Sequence, residues 1–204
     1  MTRAKPGTEV RAAILVATRK LLSEKRYDEI TVADILSAAG VARGSFYFYF
    51  EGKADVLVDL VGRAIGQGHE AAVSWLGHAE PAEQAAATRQ SIAEGARLWR
   101  DEAPVLRAIV ENWRSSPKLT DLWLSMMGGF TAGTRDRIVV DRESGASPDT
   151  IAPEDLAAAL TWLGERLYYL AAIGVPPFTD EKKLVGDLTH IWLTSLYCPQ
   201  PPKT

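Results

Sequence analysis

One cysteine, Cys198, is all the chain contains, and a single thiol cannot close an internal disulfide. Its stability therefore has to come from an apolar core. Histidine is almost as scarce. His69, His78 and His190 form no His-x-x-x-His pair and no cluster with cysteine, so the spacing of a zinc site is missing and no metal or other cofactor is indicated. Asp187 and His190 share a helical face, but a single pair of this kind is an ordinary surface or interface hydrogen bond. Gly62, Gly66 and Gly68 lack the spacing of a phosphate-binding loop. No uncharged run, Leu122–Thr134 included, reaches the ~18 apolar residues that cross a bilayer. No signal-peptide stretch follows Met1-Thr2-Arg3-Ala4-Lys5-Pro6, so a cytoplasmic protein without membrane contact is expected by elimination.

What remains is an ordinary globular composition. The chain has 204 residues, 47% of them hydrophobic and 24% charged, which suits one large or two small domains with a sizeable core. Aromatic residues divide unevenly. Trp75, Trp99, Trp113, Trp123, Trp162 and Trp192 all lie in the later part, whereas the first 74 residues have no tryptophan but hold the run Phe46-Tyr47-Phe48-Tyr49-Phe50. Charge divides in the same way: residues 1–60 carry 9 Lys and Arg against 8 Asp and Glu, and the remainder 14 against 18. A slightly basic front on an acidic body suggests two jobs.

Apolar residues recur at helical spacing through 9–24 (Val10, Ile14, Ala17, Leu21). Thr31 and Asp34 have the spacing of a capping box, opening a short helix that Gly40 can close in a left-handed turn. A second short helix is expected over about 42–50, a break at Glu51-Gly52, and a longer helix from Lys53 to about Leu76. Pro81 and Pro104 suit first-turn positions. Pro117 falls in the break before a helix over about 118–142, and Ser144–Pro148 reads as a loop. Further helices are expected from Pro153 to about Ile173 and, capped by Thr179 or Asp180, to about Tyr197. The class is all-α, with about nine helices. The aromatic five is the one segment where a short buried strand competes with a helical turn that puts Phe46 and Phe50 inward and both tyrosines outward.

Two short helices joined by a tight glycine turn and braced by a preceding helix form a helix-turn-helix. Its second helix would lie in the DNA major groove with Ala42, Arg43, Gly44 and Ser45 near the base edges. Arg43 could grip a guanine in bidentate fashion and Ser45 could bond a base or phosphate. Tyr47, Tyr49 and Lys53 offer donors to phosphate, and Lys53 also begins a helix whose first amides favour an anion. Thr31 is a structural cap whether or not it touches phosphate. A net +1 is well below the usual footprint of a DNA-binding domain, so spacing alone leaves DNA binding open.

Thr31-Val32-Ala33-Asp34-Ile35, Ala39-Gly40-Val41-Ala42-Arg43-Gly44-Ser45-Phe46-Tyr47-Phe48-Tyr49-Phe50 and Gly52-Lys53-Ala54-Asp55-Val56-Leu57 together resemble the N-terminal domain of TetR-family transcriptional regulators, over about residues 8–60. The resemblance implies a homodimeric repressor that binds a palindromic operator in double-stranded DNA and releases it when a small molecule enters the C-terminal domain. It implies base reading by Arg43, Gly44 and Ser45, and phosphate contacts by Thr31, Tyr47, Tyr49 and Lys53. Leu36 stands where the family usually has Ala, and Ala42 where it commonly has a capping Ser or Thr. The domains expected are an arm (1–7), a reader (8–52), a ligand-binding and dimerisation domain (53–198) and a tail (199–204).

The segments 122–138, 158–167 and 190–197 resemble one branch of the same family, whose members hold elongated hydrophobic ligands in an aromatic tunnel. That resemblance implies a tunnel lined by Trp99, Trp123, Met127, Phe130, Thr134 and Trp192, with Thr161 and Gly164 at the two positions where the branch carries ligand-anchoring asparagines. Gly128, Gly129 and Gly133 interrupt one helix at about 1 kcal/mol each relative to Ala, which calls for close packing or room for a ligand. Trp75, Trp113 and Trp162 are expected in the core or at a dimer interface. The last two helices are apolar on too many faces for a monomer (Leu156, Ala159, Leu160, Leu163, Leu167 and Leu170, with Trp162, Tyr169 and Ile173 off that stripe), so a two-fold partner is expected there. An enzyme and a helical adaptor protein are the competing readings. Neither finds a motif, and Cys198 has no evident base beside it.

Overall fold

The computed structural model describes the backbone over residues 6–76, 84–149 and 151–197, and side chains over 9–66, 84–149 and 151–197. The expectations for the tail, Pro81, Cys198, His78 and the side chains of His69 and Trp75 lie outside the described residues; of the arm, expected to be disordered over 1–7, residues 1–5 lie outside them, while Pro6 and Gly7 belong to the first helix. All regular structure within them is helical: α1 (Pro6–Glu24), α2 (Val32–Ala39), α3 (Arg43–Tyr49), α4 (Lys53–Leu76), α5 (Gln84–Asp101), α6 (Ala103–Asn112), α7 (Pro117–Glu143), α8 (Pro153–Ala172) and α9 (Glu181–Tyr197), with 3-10 turns at Tyr27–Glu29 and Trp113–Ser115. The aromatic five is helical through Tyr49, and Phe50 ends α3 in an extended conformation, so the strand alternative falls. Phe46 and Phe50 are both buried, their rings 5.8 Å apart.

Side-chain caps and first-turn prolines mark several of the helix starts. Asp180, not Thr179, caps α9, its Oδ1 accepting from the Lys183 amide at 3.1 Å. Pro104 and Pro153 occupy first-turn positions as expected. Pro117 begins α7 itself, one residue earlier than the break suggested.

The chain forms two compact units, Met1–Gly66 with Glu102–Trp123, and Gln67–Asp101 with Leu124–Thr204. In the first, α1 packs on α2, α3 and α6, and α6 also meets the 27–29 turn. Ile14, Ile35, Phe46, Leu57, Leu106, Ile109 and Leu119 are fully buried there. Arg19 pairs with the nearly buried Glu102 at 2.8 Å, joining α1 to the start of α6. Lys118 reaches Glu51 at 2.6 Å and Asp55 at 2.7 Å, joining the start of α7 to the turn before α4.

In the second unit α5 packs on α8 and α9, and α8 on α9. One apolar cluster gathers Ile138, Leu156, Ala157, Leu160 and Leu196; another gathers Ile92, Ala96, Leu184, Val185 and Leu188. Trp192 packs against both. A buried ion pair closes one end: Arg137 and Asp141 meet at 2.9 Å, and the Tyr197 hydroxyl donates to Asp141 at 2.8 Å. Desolvation and the bond to that carboxylate both hold Tyr197 well above the ordinary tyrosine range. Removing one partner from such a pair typically costs about 3–5 kcal/mol, because the other charge stays buried. The Asp141 carbonyl also accepts the Ala146 and Ser147 amides, which shapes the loop after α7.

Candidate functional site

In the first unit the local chemistry of α2 and α3 sets one surface. Thr31 accepts the Asp34 amide at 3.1 Å while the Asp34 carboxylate accepts the Thr31 amide at 2.8 Å, a complete capping box. The Thr31 hydroxyl also donates to Asp34 at 2.7 Å, and these bonds hold the Asp34 carboxyl below its usual range. Gly40 takes φ 64°, a conformation that costs glycine nothing, and the Val41 amide closes the turn on Leu36 at 3.2 Å. Leu36, the departure from the family's usual Ala, is half-buried. Ala42 sits at the N-cap of α3 without a side-chain bond.

The Phe46 and Phe50 anchors turn the other side of α3 outward. Arg43 and Gly44 are exposed, Ser45 is half-buried, and the Arg43 guanidinium lies 5.3 Å from the Tyr47 ring centroid. A side chain at Gly44 would meet nothing within 4 Å, so packing in this chain does not require glycine there. Tyr47 is 45% exposed and Tyr49 half-buried, but the most exposed ring is Phe48 at 79%, edge-on to Tyr49. Sequence reasoning left Phe48 unassigned; its place between two outward positions of a short helix was the available signal.

Lys53 is placed otherwise than as an outward donor. Its ammonium donates to the carbonyls of Tyr27 (2.9 Å) and Ile30 (2.8 Å), with Asp28 at 3.5 Å, and lies 4.4 Å from the Tyr27 ring centroid. Desolvation lowers the Lys53 pKa, and burial pushes the Tyr27 hydroxyl up to about 12. The side chain thus ties the start of α4 to the turn before α2.

The residues expected to line a tunnel fall in both units. Trp123, in the first, is buried. In the second, Met127, Phe130 and Thr134 follow one stripe of α7, with Met127 and Thr134 buried and Phe130 half-buried. Tyr168 is a meeting point within that unit. Its ring lies 6.5 Å from Trp99, a side chain at Gly164 would touch it at 3.7 Å, and it packs with Trp192 on one cluster. Tyr169 also stands edge-on to Trp99 at 6.5 Å. Gly128 and Gly129 are exposed and a Cβ there would meet nothing, which removes close packing within this chain as their reason.

Two polar groups on α8 stand out. Glu165 is 6% exposed and neither carboxylate oxygen has a hydrogen-bond partner; the Thr161 hydroxyl is buried in the same condition. Burial raises the Glu165 pKa, and Arg166, 3.9 Å away, opposes the shift without cancelling it. Sequence reasoning passed over Glu165 because Glu165-Arg166 reads as a solvated charge pair. On the outer side of α8 and α9, Trp162, Ile173 and Ile191 are exposed. Among the described residues, no helix is long and apolar enough to cross a membrane.

Comparison with known proteins matches both halves of the chain. Residues 14–60 match the family described as bacterial regulatory proteins, tetR family, and residues 88–198 match the transcriptional regulator EthR, C-terminal domain. The HTH-type transcriptional regulator EthR of Mycolicibacterium smegmatis is 36% identical over 201 residues, covering 97% of this chain and 91% of the relative. The regulator of that name in Mycobacterium tuberculosis is 30% identical over 202 residues, covering 94% and 88%. A regulator from Saccharomonospora viridis, solved in complex with choline, superposes with a TM-score of 0.72 at 19% identity over 93% of this chain and 98% of the other.

Proposed function

Because the chain belongs to the TetR family of transcriptional regulators, with a C-terminal domain of the EthR type, and is therefore a regulator rather than an enzyme, we propose that it is a repressor. As a homodimer it binds a palindromic operator, and it lets go when a hydrophobic small molecule occupies its C-terminal domain. Reading falls to residues 8–52, sensing and dimerisation to 53–198.

The observation that carries this is the outward display on α3. Arg43, Gly44 and Ser45 stand at the start of a helix braced by a capped α2 and a glycine turn. Arg43 suits guanine, Ser45 a base or phosphate, and the bare backbone at Gly44 a close approach. Tyr47, Tyr49, Thr31 and the first-turn amides of α4 at Lys53 suit phosphates. Phe48 offers apolar surface to a thymine methyl or a sugar. The sensor assignment rests on the EthR-type domain and on Trp99, Met127, Phe130, Thr134, Thr161, Gly164 and Trp192 within the second unit; a structural neighbour holding choline is consistent with a small-molecule effector. The exposed Trp162, Ile173 and Ile191 support a two-fold partner on α8 and α9.

Footprinting upstream of the protein's own gene tests the reading, with protection of a palindrome as the expected result. No protected site, and no shift with genomic fragments, overturns it. Arg43→Ala should weaken operator binding more than nonspecific binding; equal losses would make Arg43 a phosphate contact.

A further inference from the structure

We propose that Glu165, with Thr161 one turn before it, is the polar anchor of the effector site, and that the effector is a cationic amine carrying an apolar body. The proposal rests on the reading of the second unit as effector-binding and names the chemistry that unit selects.

Residues 161 and 165 are four apart on α8, so their Cβ atoms share one face at about 5–6 Å. Neither polar head is spent inside the protein. Two buried threonines on helices, Thr18 and Thr189, spend theirs locally: Thr18 returns its hydroxyl to the Ile14 carbonyl at 2.8 Å, and Thr189 to Val185 at 2.6 Å. Thr161 makes no such bond, so its hydroxyl is left to face something other than its own helix. Glu165 is more telling. A carboxylate more than nine-tenths buried with both oxygens unbonded is costly to fold around. Arg166 does not redeem that cost, since at 3.9 Å its nitrogen is beyond hydrogen-bond reach and its side chain is half in solvent. Nor does Tyr168, one turn on, because its hydroxyl donates to the Ile92 carbonyl at 3.0 Å.

An ammonium group supplies what is missing: a positive charge and up to three donors. Bonds to it are charge-assisted, and the same low dielectric that penalises the lone carboxylate strengthens the pair. Thr161 can accept one of the donors. Gly164, between the two, adds no side chain. Trp99 stands near Tyr168 and Tyr169, and aromatic faces suit both a cation and an alkyl body. A fatty carboxylate would instead meet a like charge.

The test uses the full chain without DNA and follows tryptophan fluorescence and melting with n-octylamine, n-octanol and octanoate. Octylamine should bind at least about tenfold more tightly than octanol, the worth of one charge-assisted anchor, with octanoate weakest. Glu165→Gln should erase the preference for the amine over octanol, and Glu165→Asp should restore part of it. At neutral pH the ligand-free Glu165→Gln protein should melt higher than the wild type, because a group whose pKa is raised by folding destabilises the fold while ionised. A merely structural glutamate would give a lower melting point. Equal binding of amine and alcohol by the wild type, or an unchanged preference in Glu165→Gln, overturns the anchor while octanol binding keeps the effector reading standing. Saturable binding of none of the three overturns both.

Discussion

A methyl group on residue 95 would sit 2.9 Å from the Tyr168 hydroxyl and 3.1 Å from its ring, closer than side-chain carbons approach. Gly95 is therefore a contact residue between α5 and α8, and its replacement sets two effects against each other. Alanine favours an exposed helix by about 1 kcal/mol over glycine. Here it would also push Tyr168 off the Ile92 carbonyl and overpack the contact, effects of about 1 and 1–3 kcal/mol. Gly95→Ala should thus lower stability by about 1–3 kcal/mol by denaturant titration. In the Tyr168→Phe background the cost should shrink, since the 2.9 Å neighbour is gone. Lys53 supports an equally local argument. Its ammonium is occupied by three carbonyls of the 27–30 turn, so Lys53→Met should destabilise the reader by about 1.5–3 kcal/mol, the range for bonds to a charged donor. The slope of log affinity against log salt should stay as in wild type. A slope smaller by about 0.9 would show that the ammonium leaves the turn for a phosphate.

At the scale of elements, α2 and α3 differ in how they begin. Thr31 and Asp34 satisfy first-turn donors of α2 reciprocally, whereas α3 starts at Ala42 with extended backbone (φ −72°, ψ 149°) and no side-chain acceptor. That backbone already suits a capping residue, so Ala42→Ser should raise stability by about 1 kcal/mol, read from the denaturation midpoint. These differences were legible in the sequence because a cap, a left-handed glycine and an i, i+4 pair of phenylalanines act within four residues of themselves. Pro104 made the start of α6 legible too, but not the pairing that holds it: the Glu102 side chain is bound by Arg19, 83 positions away. The ties of Lys53 were illegible for the same reason, its acceptors lying 23 to 26 residues back along the chain. Glu165 was hidden by composition. An acidic residue beside an arginine looks solvated until tertiary packing buries one and leaves the other out.

At the scale of the molecule, the charge balance bears on assembly. The chain carries a net charge of −3 and its first 60 residues only +1, so one reader has little electrostatic hold on DNA. Two readers joined in one particle turn the second binding event into an intramolecular one, which can strengthen binding by about two to four orders of magnitude. On the proposed reading, a repressor with this composition therefore depends on its dimer contact. Trp162, 37% exposed in the single chain, offers a way to remove that contact at small cost to the protomer. In a two-fold interface a glutamate at this position is introduced twice and loses solvent on both copies. Trp162→Glu should sediment as a monomer with an unchanged helical circular dichroism spectrum, and its operator affinity should fall at least about a hundredfold. Wild-type melting temperature should rise with protein concentration, and that of the variant should not. A Trp162→Glu protein that stays dimeric with full operator affinity would move the partner surface off α8, and with it the claim that one weakly charged reader needs a second.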